Sequence, residues 1–190
     1  MPDKGLLIVF SGPSGTGKDT VLDVLLRETD TVKKSVSATT RAPREGERDG
    51  VDYHFISRDQ FLSLIERGEM LEYAEYVGNF YGTPLGPVRE WTEKGIDVIL
   101  KIEVQGGAIV REKCPDSIGI FILPPSVEEL ERRLRGRGTD DEAAVQKRLA
   151  TAIEEMKCAD AYDYTVVNDN VERAVQEIRT ILAEEKAKRG

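Results

Sequence analysis

The chain has 190 residues, 27 Lys and Arg against 35 Asp and Glu, and a formal net charge of −8, which bounds it to one compact domain with inserted lobes and excludes the basic footprint of a general nucleic-acid binder. Cys114 and Cys158 form no C-x-x-C pair and read as reduced structural thiols, and the lone His54 excludes a His-based triad or a multi-His metal site. The longest aliphatic and aromatic run, Leu6–Phe10, is far below the ~20 residues of a membrane-spanning helix, and Met1-Pro2-Asp3-Lys4 lacks the zones of a signal peptide, so a cytoplasmic location with no membrane partner is expected.

In chain order, apolar runs of strand length alternate with stretches of helical period, the signature of an α/β fold with a parallel sheet flanked by helices. Five core strands are expected: Leu6–Ser11, Ser35–Thr39, Asp97–Ile102, Ile118–Leu123 and Tyr164–Val167. Between them, Ser57-Arg58-Asp59-Gln60, Ser126-Val127-Glu128-Glu129 and Thr139-Asp140-Asp141-Glu142 have the form of capping boxes, and Gly68 and Gly95 are natural helix stops. From about Thr40 to Pro87 the pattern changes to short alternating runs, such as Tyr53–Ile56 and Leu71–Val77, among Gly46, Gly50, Gly78, Gly82, Gly86 and most of the tyrosines. This reads as an inserted lobe. Arg135-Gly136-Arg137-Gly138 has the composition of a mobile lid. The tail from Asn170 reads as an amphipathic helix with Val171, Val175, Ile178 and Leu182 on its stripe, frayed at Lys186-Ala187-Lys188-Arg189.

The strongest motif is Gly12-Pro13-Ser14-Gly15-Thr16-Gly17-Lys18-Asp19-Thr20, set between a buried strand and a helix as a phosphate-binding P-loop requires. Glycines let successive backbone N–H groups converge on phosphate oxygens, the helix N-terminus adds partial positive charge, and Lys18 reaches the outer phosphates. The position after Lys18, usually a hydroxyl that holds Mg²⁺, is Asp19. Asp19 through water, Thr20 in its place, or neither is then the metal residue, the last leaving Asp19 as a helix N-terminal charge.

A P-loop binds a nucleoside triphosphate but does not specify the acceptor. In Ser37-Ala38-Thr39-Thr40-Arg41-Ala42-Pro43-Arg44, two guanidinium groups three residues apart suit a phosphate monoester, and Tyr53 is placed to add a phenolic donor. Together with Gly50-x-x-Tyr53-x-Phe55, Glu72-Tyr73-Ala74-Glu75, Gly78-Asn79-Phe80-Tyr81-Gly82-Thr83 and Arg135-Gly136-Arg137-Gly138-Thr139, these motifs stand in one order over almost the whole chain. In that order they resemble the guanylate kinase family of bacterial type. The resemblance implies a nucleoside monophosphate kinase fold with a core (1–39, 88–134 and 150–190), a GMP-binding lobe (40–87) and a lid (135–149). It implies the GMP phosphate on Arg41, Arg44, Tyr53 and Tyr81, and guanine at Ser37, Glu72 and Thr83. Chemistry supports Glu72 independently: guanine presents N1–H and NH₂ side by side to one carboxylate, whereas adenine offers an acceptor there. Glu75, three residues on, is expected at the surface.

The resemblance also sets Arg133, Arg137 and Arg148 around the triphosphate, with Arg135 less directed there, and Asn168 near adenine. In Lys101-Ile102-Glu103-Val104-Gln105-Gly106 it retains Glu103 as a substrate residue, while Lys101 reverses the charge at a position where the family often has an acid.

The activity implied is in-line transfer of the γ-phosphoryl group of ATP, with Mg²⁺, to GMP in purine nucleotide metabolism, giving ADP and GDP. Lys18, Arg41, Arg137 and Arg148 are its catalytic candidates. A phosphate nucleophile needs no general base, so positioning and charge stabilisation carry the rate, and closure of the lid and lobe excludes water. Two other readings stand beside it: a non-catalytic module binding phosphorylated partners through the Arg–Tyr pocket, and transfer to another phosphorylated small molecule. Oligomeric state is left open, a homo-oligomer included.

Overall fold

The computed structural model describes residues 4–136 and 141–189. The elements are β1 (Leu7–Ser11), α1 (Lys18–Arg27), β2 (Val32–Lys34), β3 (Ala38–Thr39), β4 (His54–Phe55), α2 (Arg58–Glu66), β5 (Met70–Tyr76), β6 (Asn79–Pro84), α3 (Leu85–Glu93), β7 (Asp97–Lys101), α4 (Val104–Lys113), β8 (Ile118–Leu123), α5 (Val127–Gly136), α6 (Glu142–Met156), a short 3₁₀ helix (Lys157–Ala161), β9 (Tyr164–Val167) and α7 (Val171–Ala187).

Strand β1 is apolar on both faces, as an internal strand of a parallel sheet must be. Its five-stranded sheet has the order β2-β7-β1-β8-β9, with every pairing parallel. Alternation sorts the core into two layers. Ile8, Phe10, Ile99, Ile120, Ile122 and Val166 pack against Val21, Leu22 and Leu25 of α1 and against Ala174, Val175 and Ile178 of α7. Val9, Val98 and Leu100 face the other way, toward Val88 of α3 and Val110 of α4.

The second core strand differs from expectation. It is Val32–Lys34, not Ser35–Thr39, and it pairs with β7 through Val32↔Asp97. Only Val32 of its three residues is buried, so two lysines hide the apolar signal. Ser35 makes one last bond, its N–H donating to the Ile99 carbonyl at 2.9 Å. The chain then crosses to a second, four-stranded sheet of order β4-β3-β6-β5, where Ala38 and Thr39 are buried. One face of that sheet packs on α2: Ala38, Met70 and Phe80 surround Phe61, whose ring stacks on Phe80 at 5.2 Å.

Helix boundaries follow capping chemistry. Ser57 and Gln60 make a reciprocal capping box, and Gly68 and Gly95 follow α2 and α3 with positive φ. Ser126 Oγ accepts from the Glu129 N–H, but the Glu129 carboxylate turns away to Arg132 and Arg133, so that box is half made. Thr139 and Asp140 lie outside the described residues. Helix α6 is capped by Asp141, which accepts from the Ala144 N–H at 2.8 Å.

The tail is not frayed as expected. Helix α7 continues to Ala187 because its polar end has partners: Lys188 with Glu185 and Tyr164, Arg189 with the Asp116 carbonyl, and Lys186 with Asp97. Asp97 is buried; its Oδ1 accepts from the Leu6 N–H at 2.9 Å while Oδ2 meets Lys186 Nζ at 2.9 Å. Asp97→Ala would leave a buried donor unpaired and is expected to lower unfolding free energy by about 1–3 kcal/mol. Urea titration with an unchanged m-value checks this, and a loss below about 0.5 kcal/mol would contradict it.

Candidate active site

Between β1 and α1, the loop holds Gly12, Gly15 and Gly17 at positive φ, and α1 begins at Lys18 with no side chain capping its N-terminus. Two of these glycines are also demanded by contact. A Cβ on Gly12 would sit 2.4 Å from the Ile122 carbonyl oxygen, and one on Gly17 would sit 2.5 Å from Asn168 Nδ2. Thr16 Oγ1 braces the loop by donating to the Pro13 carbonyl at 2.9 Å. Lys18 folds back over it, Nζ donating to the carbonyls of Gly12 and Pro13 at 2.5 and 2.7 Å. Burial lowers the Lys18 pKa, an effect partly offset by the charges of Glu103, Asp19 and Glu155.

Helices α5 and α6 pack on this loop. Arg133 donates to the carbonyls of Thr16 and Asn168 and pairs with Glu129, while Asn168 Nδ2 donates to Thr16 at 2.7 Å. Asn168 Oδ1 is buried with no partner among the described residues. Arg148 donates to Ser14 Oγ at 2.7 Å. Seven residues on, and so on the same face of α6, the Glu155 carboxyl is pushed up by burial and by the charge of Glu103, against the pull of Lys18 and the Ser14 backbone. Ser14 and Thr20 are exposed. Arg135 is committed to Glu131 and Glu142 rather than to the loop. Arg137 lies outside the described residues.

The second sheet gathers the acceptor candidates on the face opposite Phe61. Ala38 aligns with His54 on one side and Gly82 on the other, so one residue earlier Ser37 stands in a row with Tyr53 and Thr83. Thr83 in turn pairs with Glu72. Tyr81, two residues from Thr83, shares that face, and its ring meets Tyr53 at 6.1 Å edge-on. Arg41 stacks over Tyr53 and Phe55, and Glu47 grips it bidentately at 2.8 and 2.9 Å. Glu47 also accepts from the backbone N–H of Arg44 at 2.7 Å, and the Arg44 side chain is exposed. Glu72 is buried and accepts from Thr83 Oγ1 at 2.7 Å; burial holds its carboxyl above the usual range, against the pull of Thr83 and Lys113. Glu75 is exposed, as expected.

Helix α4 joins the two halves. Glu103 is its N-cap residue and interacts with Lys18. One turn on, a Cβ at Gly106 would lie 3.0 Å from Glu72 Oε2. The phosphate loop and the buried carboxylate therefore flank the first turn of one helix. A cavity of about 490 Å³ beside Ile118 and Tyr164 lies at the opposite, N-terminal edge of the parallel strands and takes no part.

The guanylate kinase family model matches residues 4–185. The chain belongs to the guanylate kinase family. It is 54% identical to a guanylate kinase of Clostridioides difficile over 97% of this chain and 90% of that one, and 54% identical to one of Halalkalibacterium halodurans over 98% and 92%. The crystal structure of guanylate kinase from Anaplasma phagocytophilum superposes with a TM-score of 0.77 at 40% identity, covering 96% of this chain and 87% of that one. Among the described residues no helix is long and apolar enough to cross a membrane, and no cluster of three or more His, Cys, Asp or Glu side chains is poised to hold a metal.

Sequence reasoning passed over Glu47, Glu155 and Gly106. Glu47 carried a signal, lying within reach of both arginines beyond the Gly46 turn. Glu155 had only its two-turn spacing from Arg148, and Gly106 had none without the contact to Glu72. Because the Glu72 carboxyl is raised in the folded chain, its ionisation weakens folding as pH climbs above the ordinary carboxylate value. Glu72→Gln is therefore expected to gain melting temperature relative to the parent as pH rises from about 4 through that window, with no gain at the acid end. Parallel melting curves at every pH would contradict the cause assigned.

Proposed function

We propose that this chain transfers the γ-phosphoryl group of ATP to GMP. The observation that carries the reading is the juxtaposition across α4 of a P-loop with its lysine and a buried, hydrogen-bonded Glu72 on the second sheet. Glu72 is the one group of that row able to accept both N1–H and NH₂ of guanine, and Thr83 holds one of its oxygens in place. Ser37 borders the base. Arg41, Arg44, Tyr53 and Tyr81 bind the acceptor phosphate, with Arg41 exchanging the Glu47 carboxylate for it. Gly12 to Thr20 bind the donor phosphates through backbone N–H groups, Lys18 leaves the loop carbonyls to follow them, and Arg133 and Asn168 hold the loop against β9 near the adenine. Residues 40–87 act as the acceptor lobe and 135–149, with Arg137 and Arg148, as the lid.

The acceptor oxygen is already an anion, so no residue has to take a proton from it. Lys18, Arg41 and Arg148 lower the barrier by fixing the two phosphates in line and by matching charge spread over the equatorial oxygens. Asp19 and Glu103, whose hard carboxylate oxygens suit Mg²⁺, would hold that ion beside the loop, where it would supply further neutralisation of phosphate charge. A cytoplasmic location is proposed with it, because ATP and GMP are supplied there. A purely phosphopeptide-binding module would have no use for the uncapped, glycine-built start of α1 or for Lys18, and this disfavours that reading.

Release of ADP, coupled to a dehydrogenase readout, is expected with GMP and at most a few per cent as fast with AMP, CMP or UMP; silence with every acceptor from folded protein would overturn the assignment. Lys18→Ala is expected to cost at least about 100-fold in kcat/KM, and near-normal turnover would exclude the P-loop role. Glu72→Gln, which replaces an acceptor by a donor opposite the guanine amino group, is expected to weaken GMP at least about tenfold while leaving ATP affinity unchanged.

A further inference from the structure

Asp19 and Lys101 are separated by 82 positions, yet they meet: Lys101 Nζ at the C-terminal end of β7 donates to Asp19 Oδ1 in the first turn of α1. Asp19 puts a negative charge next to Lys18, at the helix end whose N–H groups are left for an anion. Such a charge repels any phosphate that approaches. The Asp19 side chain is 71% exposed and that of Lys101 35%, and exposed pairs of this kind contribute little to folding. The pair is built from two separate elements at the mouth of the loop, where its electrostatic consequence falls on the ligand.

We propose that Lys101 is a nucleotide-affinity residue whose positive charge offsets the repulsion between the Asp19 carboxylate and the phosphates bound by the loop. The inference rests on the reading of Gly12 to Thr20 as a phosphate site. It also accounts for the reversed charge at Lys101: an acid at position 19 calls for a base opposite it. One unneutralised charge about 6 Å from a phosphate, at an effective dielectric between roughly 40 and 80, changes affinity about three- to tenfold.

The test is calorimetric titration of ADP into the full chain in EDTA at low ionic strength, so that neither turnover nor metal contributes. Lys101→Met is expected to weaken ADP about three- to tenfold, Asp19→Asn to tighten it by a similar factor, and the double variant to return to the parent value, both single-variant effects shrinking as salt is added. Thermal melting of the variants should match the parent, since the pair is exposed. A double variant as weak as Lys101→Met alone would mean that Lys101 contacts phosphate directly, and would overturn the proposal. So would single variants with parental affinity. Failure of the parent chain itself to bind ADP would instead remove the phosphate-site reading and this inference with it.

Discussion

A chain of net charge −8 that takes polyanions has to keep its cations satisfied before any phosphate arrives. Here four cations of the site have internal acceptors: Lys18 has the loop carbonyls, Arg41 has Glu47, Lys101 has Asp19, and Arg133 has Glu129 with two carbonyls. In the proposed reading, substrate binding is an exchange of partners. Its free energy is then a difference between two well-made sets of hydrogen bonds, which favours phosphate over weaker anions without demanding a strongly basic protein.

The second constraint is that donor and acceptor sites belong to different sheets. The parallel sheet ends at its C-terminal edge in the glycine-built turn, where a βα unit presents helix N–H groups. The smaller sheet presents a row of Tyr53, Ser37, Thr83 and Glu72 on the face that α2 does not cover. Helix α4 relates them, because it starts at Glu103 beside Lys18 and passes Glu72 at Gly106 with no side chain between. A carboxylate buried there is costly, as its raised pKa records. In the reading proposed here, that cost is what makes Glu72 selective: it is relieved by a base with two adjacent donors and worsened by one that presents an acceptor.

Much of this was legible from residues alone. The run Leu6–Phe10 followed by three glycines and Lys18 located the first strand, the loop and α1, because local chemistry decides all three. Four of the five core strands were legible for the same reason. Val32–Lys34 was not, since a three-residue edge strand with one buried side chain leaves almost no pattern, and the more apolar Ala38–Thr39 belongs to the other sheet. The end of α7 was misjudged because its order comes from Asp97, Tyr164 and Asp116, all distant in sequence. Asp19 and Lys101 stood out separately as departures from a pattern, but that they answer each other required the fold. Glu47, Glu155 and Gly106 act by contact across elements and left little trace in spacing.

The most direct test of the account is a crystal structure of the chain with GMP and ADP bound together. Guanine N1 and N2 are expected within hydrogen-bond distance of the Glu72 carboxylate, the GMP phosphate on Arg41 with the Glu47 pair opened, and the ADP phosphates on the N–H groups of Gly12 to Thr20. GMP seated with its base away from Glu72, or its phosphate bound while Arg41 still grips Glu47, would contradict it.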